Sequence, residues 1–161
     1  MTALYRHEEP RSRYVIDCHG AQVHVHARSL ATVLRLEGQI DTSNAGAVAQ
    51  AIRHFARLRA PLVVDVSGLD FLGSAGLRML LRLHVEQQQA QLHCNVVSGA
   101  ALRRLTRVVT DHGLPVVDSV PEALRHTHDF IHARRRFLSG LARQREPQRE
   151  TRRPLEAAEG H

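Results

Sequence analysis

The chain has 161 residues, which suffices for one domain with a hydrophobic core and a tail but hardly for two ordinary domains. Only 4% of the residues are aromatic and tryptophan is absent, which argues against a protein that stacks nucleic-acid bases on aromatic rings. The formal net charge is +6, and all 22 basic residues are arginine, a usage typical of high-GC genomes that does not by itself indicate phosphate recognition.

The two cysteines and the N-terminal residues bear on the compartment. Cys18 and Cys94 lie far apart and match no paired metal-ligand spacing, so a reduced setting is favoured. Residues 1–13 contain no apolar targeting segment, and no later stretch has the length of a membrane span. We therefore expect a cytoplasmic protein that is not inserted in a membrane.

The first part of the chain predicts a leader and a pair of strands. Residues 1–13 have little to bury and are predicted to be flexible. Tyr14 to Ile16 can begin a strand, although polar residues soon interrupt it. Apolar and polar residues then alternate over 21–28 and again over 31–37, which predicts two adjacent antiparallel strands.

A helix is predicted after the second of these strands. Its apolar stripe consists of Val48, Ile52 and Phe55, spaced for one face of a helix. Polar residues between the strand and this stripe can cap the helix start: Asp41, Thr42 and Ser43.

The second half of the chain alternates strands with helices. An apolar, β-branched run at 62–66 predicts a buried central strand, which a turn connects to an amphipathic helix from Ser74 to about Gln89. A strand at 92–97 and a helix at 100–111 are predicted next, with Val109 facing inward and Gly113 as the C-cap of the helix. A marginal strand at 114–117 then precedes a helix that begins with a capping box at 119–122 and ends at about Leu141.

This order of elements predicts the fold class and the domain limits. Strands and helices that alternate after a hairpin indicate an α/β domain over residues 14–141, with a small mixed sheet of four to five strands packed against helices. Residues 142–161 are rich in arginine and glutamate with almost nothing apolar, and we expect a basic disordered tail there.

The junction between the central strand and its helix contains a single hydroxyl group among small residues, in Gly73-Ser74-Ala75-Gly76. A helix start leaves backbone N–H groups unpaired and carries partial positive charge, so it stabilises an anion there. Ser74 is therefore a candidate phosphate carrier. The alternative is that Ser74 is an ordinary N-cap, and this short stretch alone favours the alternative.

The sequence gives weaker evidence for a metal site, a catalytic site or a nucleic-acid site. His24 and His26 share a strand face, and three more histidines lie close together near residue 128, but no suitably spaced cysteine or carboxylate accompanies them, so no metal site is predicted. The sequence contains no acyl-transfer triad and no phosphate-binding loop, and we expect neither catalysis nor a cofactor. The arginines at 134–136 and 143–153 could attract nucleic acid or an acidic membrane, but interspersed glutamates favour a solvated helix end.

Three segments in the same order and spacing resemble the anti-sigma factor antagonist family, whose fold is the STAS domain: Gly38-Gln39-Ile40-Asp41, residues 62–68 and residues 71–77. The resemblance covers about residues 21–134. It implies a partner switch, in which the antagonist binds an anti-sigma factor with serine-kinase activity and frees a sigma factor, until the kinase phosphorylates Ser74. The partner-binding residues that it implies are Asp41, Thr42, Gly73, Ser74, Ala75, Gly76, Leu77 and Arg78.

Two positions depart from the family pattern. Gly73 stands where the family has an acid before the serine, and Ala75 replaces a second hydroxyl residue. Asp70 could supply the missing charge, although a turn-forming role is favoured. Helix capping is the alternative role of Asp41.

The sequence leaves open two other functions and one oligomeric state. The domain could be a constitutive scaffold subunit of a larger complex, such as a lipid transporter, that needs no phosphorylation. A nucleic-acid binder would depend on the basic C-terminal residues, and direct nucleic-acid binding is not expected. A homodimer remains open.

Overall fold

A computed structural model describes residues 14–145 of the chain. The elements in chain order are β1 (Tyr14–Asp17), β2 (Ala21–Ala27), β3 (Thr32–Ile40), α1 (Ala45–Ala56), β4 (Leu62–Leu72), α2 (Ser74–Gln89), β5 (Cys94–Val97), α3 (Ala100–Thr106), β6 (Val116–Val117) and α4 (Val120–Arg145).

The strands form one mixed sheet with the spatial order β1-β2-β3-β4-β5-β6. The antiparallel pairing of β2 with β3 is the one that the alternating pattern predicts; β1 also pairs antiparallel with β2, and β3 to β6 are parallel. The predicted α/β class and mixed sheet are confirmed, but the sheet has six strands instead of four to five. The short segments at both edges, β1 and β6, each pair with a neighbour despite their weak sequence signals.

Alternate residues of the central strands face opposite sides of the sheet. Leu34 of β3 and Val64 of β4 belong to the larger core, which α1, α2 and α3 cover. Their neighbours Val33 and Val63 belong to a smaller core on the other face, together with Ala123 of α4. The period of two in β3 and β4 therefore separates two hydrophobic layers.

The central strand is longer than the sequence predicts. β4 continues over residues 67–72, where a turn is predicted, because it stays paired with the end of β3: Glu37 pairs with Gly68, and Ile40 with Leu72. The pairing shifts twice on the way, after Arg35 and again after Gly38. These irregularities let the two strands end side by side although their lengths differ.

Several helix limits also differ from the predictions. α3 ends at Thr106, and Val109, predicted to face inward, is 42% exposed. The β-branched run that begins at Val108 disfavours a longer helix. The capping box before α4 is confirmed in part: the Glu122 N–H donates to the Ser119 hydroxyl, whereas the Glu122 carboxylate accepts from the N–H of Asp118 instead of that of Ser119.

The chain divides into two compact units, Met1–Phe130 and Ile131–His161. Within the first, residues 14–130 carry the whole sheet and both cores. Within the second, residues 131–145 are helical, so α4 continues past Leu141 to the last described residue, Arg145, and includes the start of the predicted tail. The predicted leader at 1–13 and the rest of the tail at 146–161 lie outside the described residues.

Substituting Gly38 by alanine should strongly destabilise the fold. Gly38 has a φ of +92°, and a Cβ there would lie 2.3 Å from the Gly20 carbonyl oxygen. We expect Gly38→Ala to lower the free energy of unfolding by about 3 kcal/mol, measured by urea denaturation. Gly46→Ala is the matched control, because its added Cβ meets nothing within 4 Å, and it should stabilise by about 0.5 kcal/mol. Equal effects of both substitutions would contradict this account.

Candidate functional site

The exposed residue Asp41 begins the loop between β3 and α1, here called the Asp41 loop (residues 41–44). Its carboxylate accepts hydrogen bonds from the backbone N–H of Ser43, at 2.8 Å, and from the Ser43 hydroxyl. These bonds favour the charged form and lower the pKa of Asp41 below its ordinary value. Asp41 thus presents a fixed negative charge at the end of β3.

Asn44 holds the Asp41 loop in place. Its side chain is buried: the amide nitrogen donates to the carbonyl oxygens of Gln39, at 2.7 Å, and His19, at 3.1 Å, while the amide oxygen accepts from the N–H of Asp41 at 2.9 Å. Asn44 also occupies the N-cap position of α1, which the sequence assigns wrongly to Asp41, Thr42 or Ser43. Its side chain makes no bond to the first turn of α1, so the usual preference for asparagine at a helix start does not predict the bonds that it forms here.

The pairing of β3 with β4 brings the Asp41 loop next to the start of α2. Ile40 and Leu72 are register partners at the ends of the two parallel strands. The N–H of Gly73 then donates to the Ile40 carbonyl oxygen at 2.9 Å, directly before Asp41. The two segments of the motif, distant in sequence, therefore emerge at one edge of the sheet.

Ser74 is the first residue of α2, and Gly73, with extended backbone, is the N-cap. The Ser74 side chain is exposed and forms no hydrogen bond with any part of residues 14–145. The alternative prediction, that Ser74 is the N-cap of this helix, is therefore wrong. Its hydroxyl projects into solvent at the positive end of a 16-residue helix.

Two of the predicted partner-binding residues lie beneath this surface. Gly76 is buried, and a Cβ there would lie 2.3 Å from Leu72 Cδ1 and 3.1 Å from Ile40 Cγ2. Leu77 is buried in the larger core. These residues fix the helix start against the strand ends, whereas Ser74 and Arg78 are exposed.

A groove of about 320 Å³ runs between α1 and α2 beside Ser74. This α1–α2 groove brings together Thr42, Ala75 and Arg78, which the sequence predicts as partner-binding residues. The remaining lining residues, which the sequence analysis does not single out, are Ala45, Gly46, Ala49, Arg53, Met79 and Arg82. Small side chains keep the groove open, and the guanidinium groups of Arg78 and Arg82 make it attractive to anionic groups.

One wall of the groove is fixed by an ion pair between the two helices. Arg53 of α1 donates two parallel hydrogen bonds to Glu86 of α2, with Nε–Oε2 at 3.0 Å and Nη2–Oε1 at 2.8 Å. Arg82, one turn before Glu86, is exposed. The sequence signal for this basic surface was the i, i+4 spacing of Arg78 and Arg82 on one helix face.

The structure explains part of the departure from the family pattern before Ser74. A Cβ on Gly73 would lie 3.4 Å from Phe71 Cε1 and 3.5 Å from the Ile40 carbonyl oxygen, so the position has room for a side chain. Asp70 is an exposed residue of β4, and the turn-forming role predicted for it is wrong. The first turn of α2 contains no acidic residue, so the nearby charges come from Asp41 of the neighbouring loop and from Arg78 and Arg82 of α2.

Other candidate chemistry is not assembled in residues 14–145. No group of histidine, cysteine, aspartate and glutamate side chains is arranged there to hold a metal ion, and His24 contacts Glu37 at 3.2 Å instead. Cys18 and Cys94 are free and buried, and burial raises the pKa of Cys94 to about 12. No described helix has both the length and the hydrophobicity that a membrane crossing requires.

Comparison with known proteins identifies the family. A STAS domain profile matches residues 21–123, which include strands β2 to β6 and the start of α4. The chain belongs to the STAS domain family. The resemblance that the sequence motifs predict is confirmed, and the matched region contains both the Asp41 loop and Ser74.

Three similar proteins illustrate the relationship. Osmosensory protein A of Mycobacterium tuberculosis is 29% identical over 131 residues, which cover 78% of this chain and 83% of the relative. The structure of an anti-sigma factor antagonist from Mycobacterium paratuberculosis has a TM-score of 0.60 and 30% identity, covering 67% of this chain and 94% of that one. RsbS of Moorella thermoacetica, at 17% identity, shares the fold with a TM-score of 0.57, covering 68% and 97%.

Removing the Asn44 side chain should unfold the Asp41 loop and weaken the STAS domain. Asn44→Ala removes three part-buried hydrogen bonds that join the backbone of residues 19, 39 and 41, so we expect a loss of about 2 kcal/mol in the free energy of unfolding by urea denaturation. The matched control is the exposed residue Thr42, whose substitution by alanine should change stability by less than about 0.5 kcal/mol. A neutral Asn44→Ala variant would mean that its hydrogen bonds do not hold the loop.

Substituting Ser43 by alanine should raise the pKa of Asp41 towards its ordinary value of 3.8, because the hydroxyl that stabilises the carboxylate is removed. A pKa depressed in the folded state adds stability above the unfolded pKa and loses it as pH falls through the folded pKa. The difference in stability between wild type and Ser43→Ala should therefore be present above about pH 4 and shrink below it. NMR titration of the Asp41 carboxyl carbon measures the shift, and Ser29→Ala should leave it unchanged.

Proposed function

We propose that this STAS protein is a cytoplasmic anti-sigma factor antagonist. It binds an anti-sigma factor with serine-kinase activity and thereby frees a sigma factor, and phosphorylation of Ser74 ends the binding. The partner surface consists of Asp41, Thr42, the start of α2 and the exposed arginines of the α1–α2 groove. The observation that carries the proposal is the solvent-exposed hydroxyl of Ser74, which forms no cap hydrogen bond and directly precedes the groove residue Ala75.

The geometry suits a residue that a kinase must reach. Ser74 is on the surface, while Gly76 and Leu77 anchor the same helix turn in the core. Modification of Ser74 therefore needs no unfolding of the sheet. Because Ala75 carries no hydroxyl, Ser74 is the single acceptor in this turn.

The charge around Ser74 indicates how a phosphate would act. Arg78 and Arg82 are exposed, whereas Arg53 is already paired with Glu86, so the two arginines of α2 make the groove attractive to acidic groups of a partner. A phosphate at Ser74 adds close to two negative charges, which would offset the arginines and repel the same acidic groups. In the free protein the phosphate would be solvated and would meet unpaired N–H groups of the first turn of α2, so phosphorylation weakens the complex rather than the fold.

A second candidate function is supported by one specific observation. The first turn of α2 lacks an acid, although the space at Gly73 would admit one. A constitutive scaffold subunit of a larger complex, such as a lipid transporter, would need neither that acid nor a phosphate. Under this alternative the chain would co-purify with transporter subunits, and Ser74 would stay unmodified in the cell.

The switch is tested by phosphorylation and by charge substitution at Ser74. Incubation with anti-sigma kinases from the source organism and ATP should add one phosphate, located on Ser74 by peptide mass spectrometry. Ser74→Asp should weaken binding to the matching kinase by about thirtyfold or more, measured by calorimetric titration, because an unpaired interface charge is costly. Ser74→Ala should still bind but not accept phosphate.

The matched control is Ser29→Asp. Ser29 is exposed at the opposite end of β3 from the Asp41 loop, so an added charge there should leave binding unchanged. If no kinase modifies Ser74 and Ser74→Asp binds like the wild type, the phosphorylation switch is wrong. Binding without any effect at Ser74 would favour the scaffold function.

A further inference from the structure

The second compact unit exposes an apolar stripe on its helix. Within residues 131–145, Phe137 is 67% exposed, Leu138 54% and Leu141 42%. Phe137 and Leu141 are four residues apart and share one side of the helix, and Leu138 adjoins them. Large apolar groups grouped in this way on a helix are typical of a surface that binds a partner or a membrane.

The same helical segment is strongly basic. Residues 131–145 contain five arginines and neither aspartate nor glutamate, with three consecutive arginines at 134–136. Arg136 and Arg143 are seven residues apart and share a side of the helix that differs from the apolar stripe. Arg135 also lies off the stripe, whereas Arg134 and Arg145 stand in line with it, before Phe137 and after Leu141. The segment thus combines an apolar stripe with arginines at its two ends and on the other sides of the helix, and long arginine side chains at the ends of such a stripe can reach the lipid phosphates.

We propose that the helix over residues 131–145 binds the surface of an anionic lipid bilayer, with Phe137, Leu138 and Leu141 inserted among the acyl chains and the arginines at the lipid phosphates. The binding is peripheral and parallel to the bilayer plane. The proposal goes beyond the partner switch, because the STAS profile ends at residue 123 and the helix belongs to the other compact unit.

Charge complementarity and the apolar stripe together favour this occupant over others. Nucleic acid would attract the arginines, but its anionic backbone offers no apolar surface that could bury the phenylalanine and leucine side chains. A second copy of the helix could cover the stripe, but it would bring two sets of five positive charges together with no acidic residue in the segment. An anionic bilayer satisfies the charge and the apolar stripe at once.

The test is binding of the full chain to vesicles, measured by co-sedimentation. One set of vesicles contains phosphatidylcholine and phosphatidylglycerol in equal amounts, and the other contains phosphatidylcholine alone. We expect binding to the anionic vesicles only. Phe137→Ser combined with Leu141→Ser should weaken it by about tenfold or more, and Arg135→Gln combined with Arg136→Gln should weaken it by about fivefold per arginine.

Matched control variants remove equivalent groups from the first unit. Leu58→Ser with Val108→Ser removes side chains that are 68% and 84% exposed, and Arg103→Gln with Arg104→Gln removes two exposed charges from α3. Both should bind vesicles like the wild type. Far-UV circular dichroism confirms that each variant keeps its fold.

Several results would overturn the proposal. One is failure of the wild type to bind anionic vesicles, and another is unchanged binding after loss of Phe137 and Leu141, which would mean unspecific charge attraction. A third is tighter binding to mixed-sequence duplex DNA than to vesicles at equal salt. Dimerisation in sedimentation velocity that the Phe137→Ser, Leu141→Ser variant abolishes would assign the stripe to a second copy instead.

Discussion

The parallel pairing of β3 with β4 determines where both helices of the candidate site begin. Parallel strands end at the same edge of a sheet, and here Ile40 and Leu72 are the last register partners. The bond from the Gly73 N–H to the Ile40 carbonyl oxygen extends this pairing one residue past β4. The Asp41 loop, the Ser74 turn and the α1–α2 groove all depend on it.

Two polar residues at this edge illustrate opposite uses of a side chain at a helix start. Asn44 is buried, and both its amide nitrogen and its amide oxygen bond to the backbone of neighbouring segments, so its role is to hold the loop in place. Ser74 is exposed, and its hydroxyl does not cap α2, because Gly73 with its extended backbone is the N-cap. The turn is held instead by Gly76, which packs against Leu72 and Ile40 at the strand ends. A hydroxyl that stabilises nothing in the fold is free to carry a regulatory charge.

The electrostatic character of the site differs from the family pattern that its motifs resemble. With glycine at position 73 and alanine at 75, the acid and the second hydroxyl are missing, and two exposed arginines of α2, Arg78 and Arg82, line the groove. The bidentate pair between Arg53 and Glu86 holds the helices together at the groove. Under the proposed function, the groove would attract an acidic partner surface, and a phosphate would act on binding mainly by cancelling that attraction.

The sequence by itself determined the local elements and the family. Alternation and helical spacing located β2, β3 and α2, and the spacing of the two motifs placed Ser74 at a strand-to-helix junction. Only the tertiary structure decided the full length of β4, the structural role of Asn44 and the groove with Arg53 and Arg82. These features arise from contacts between segments about 30 residues apart. Sequence periodicity indicates which face of an element is buried, but not which other segment covers that face.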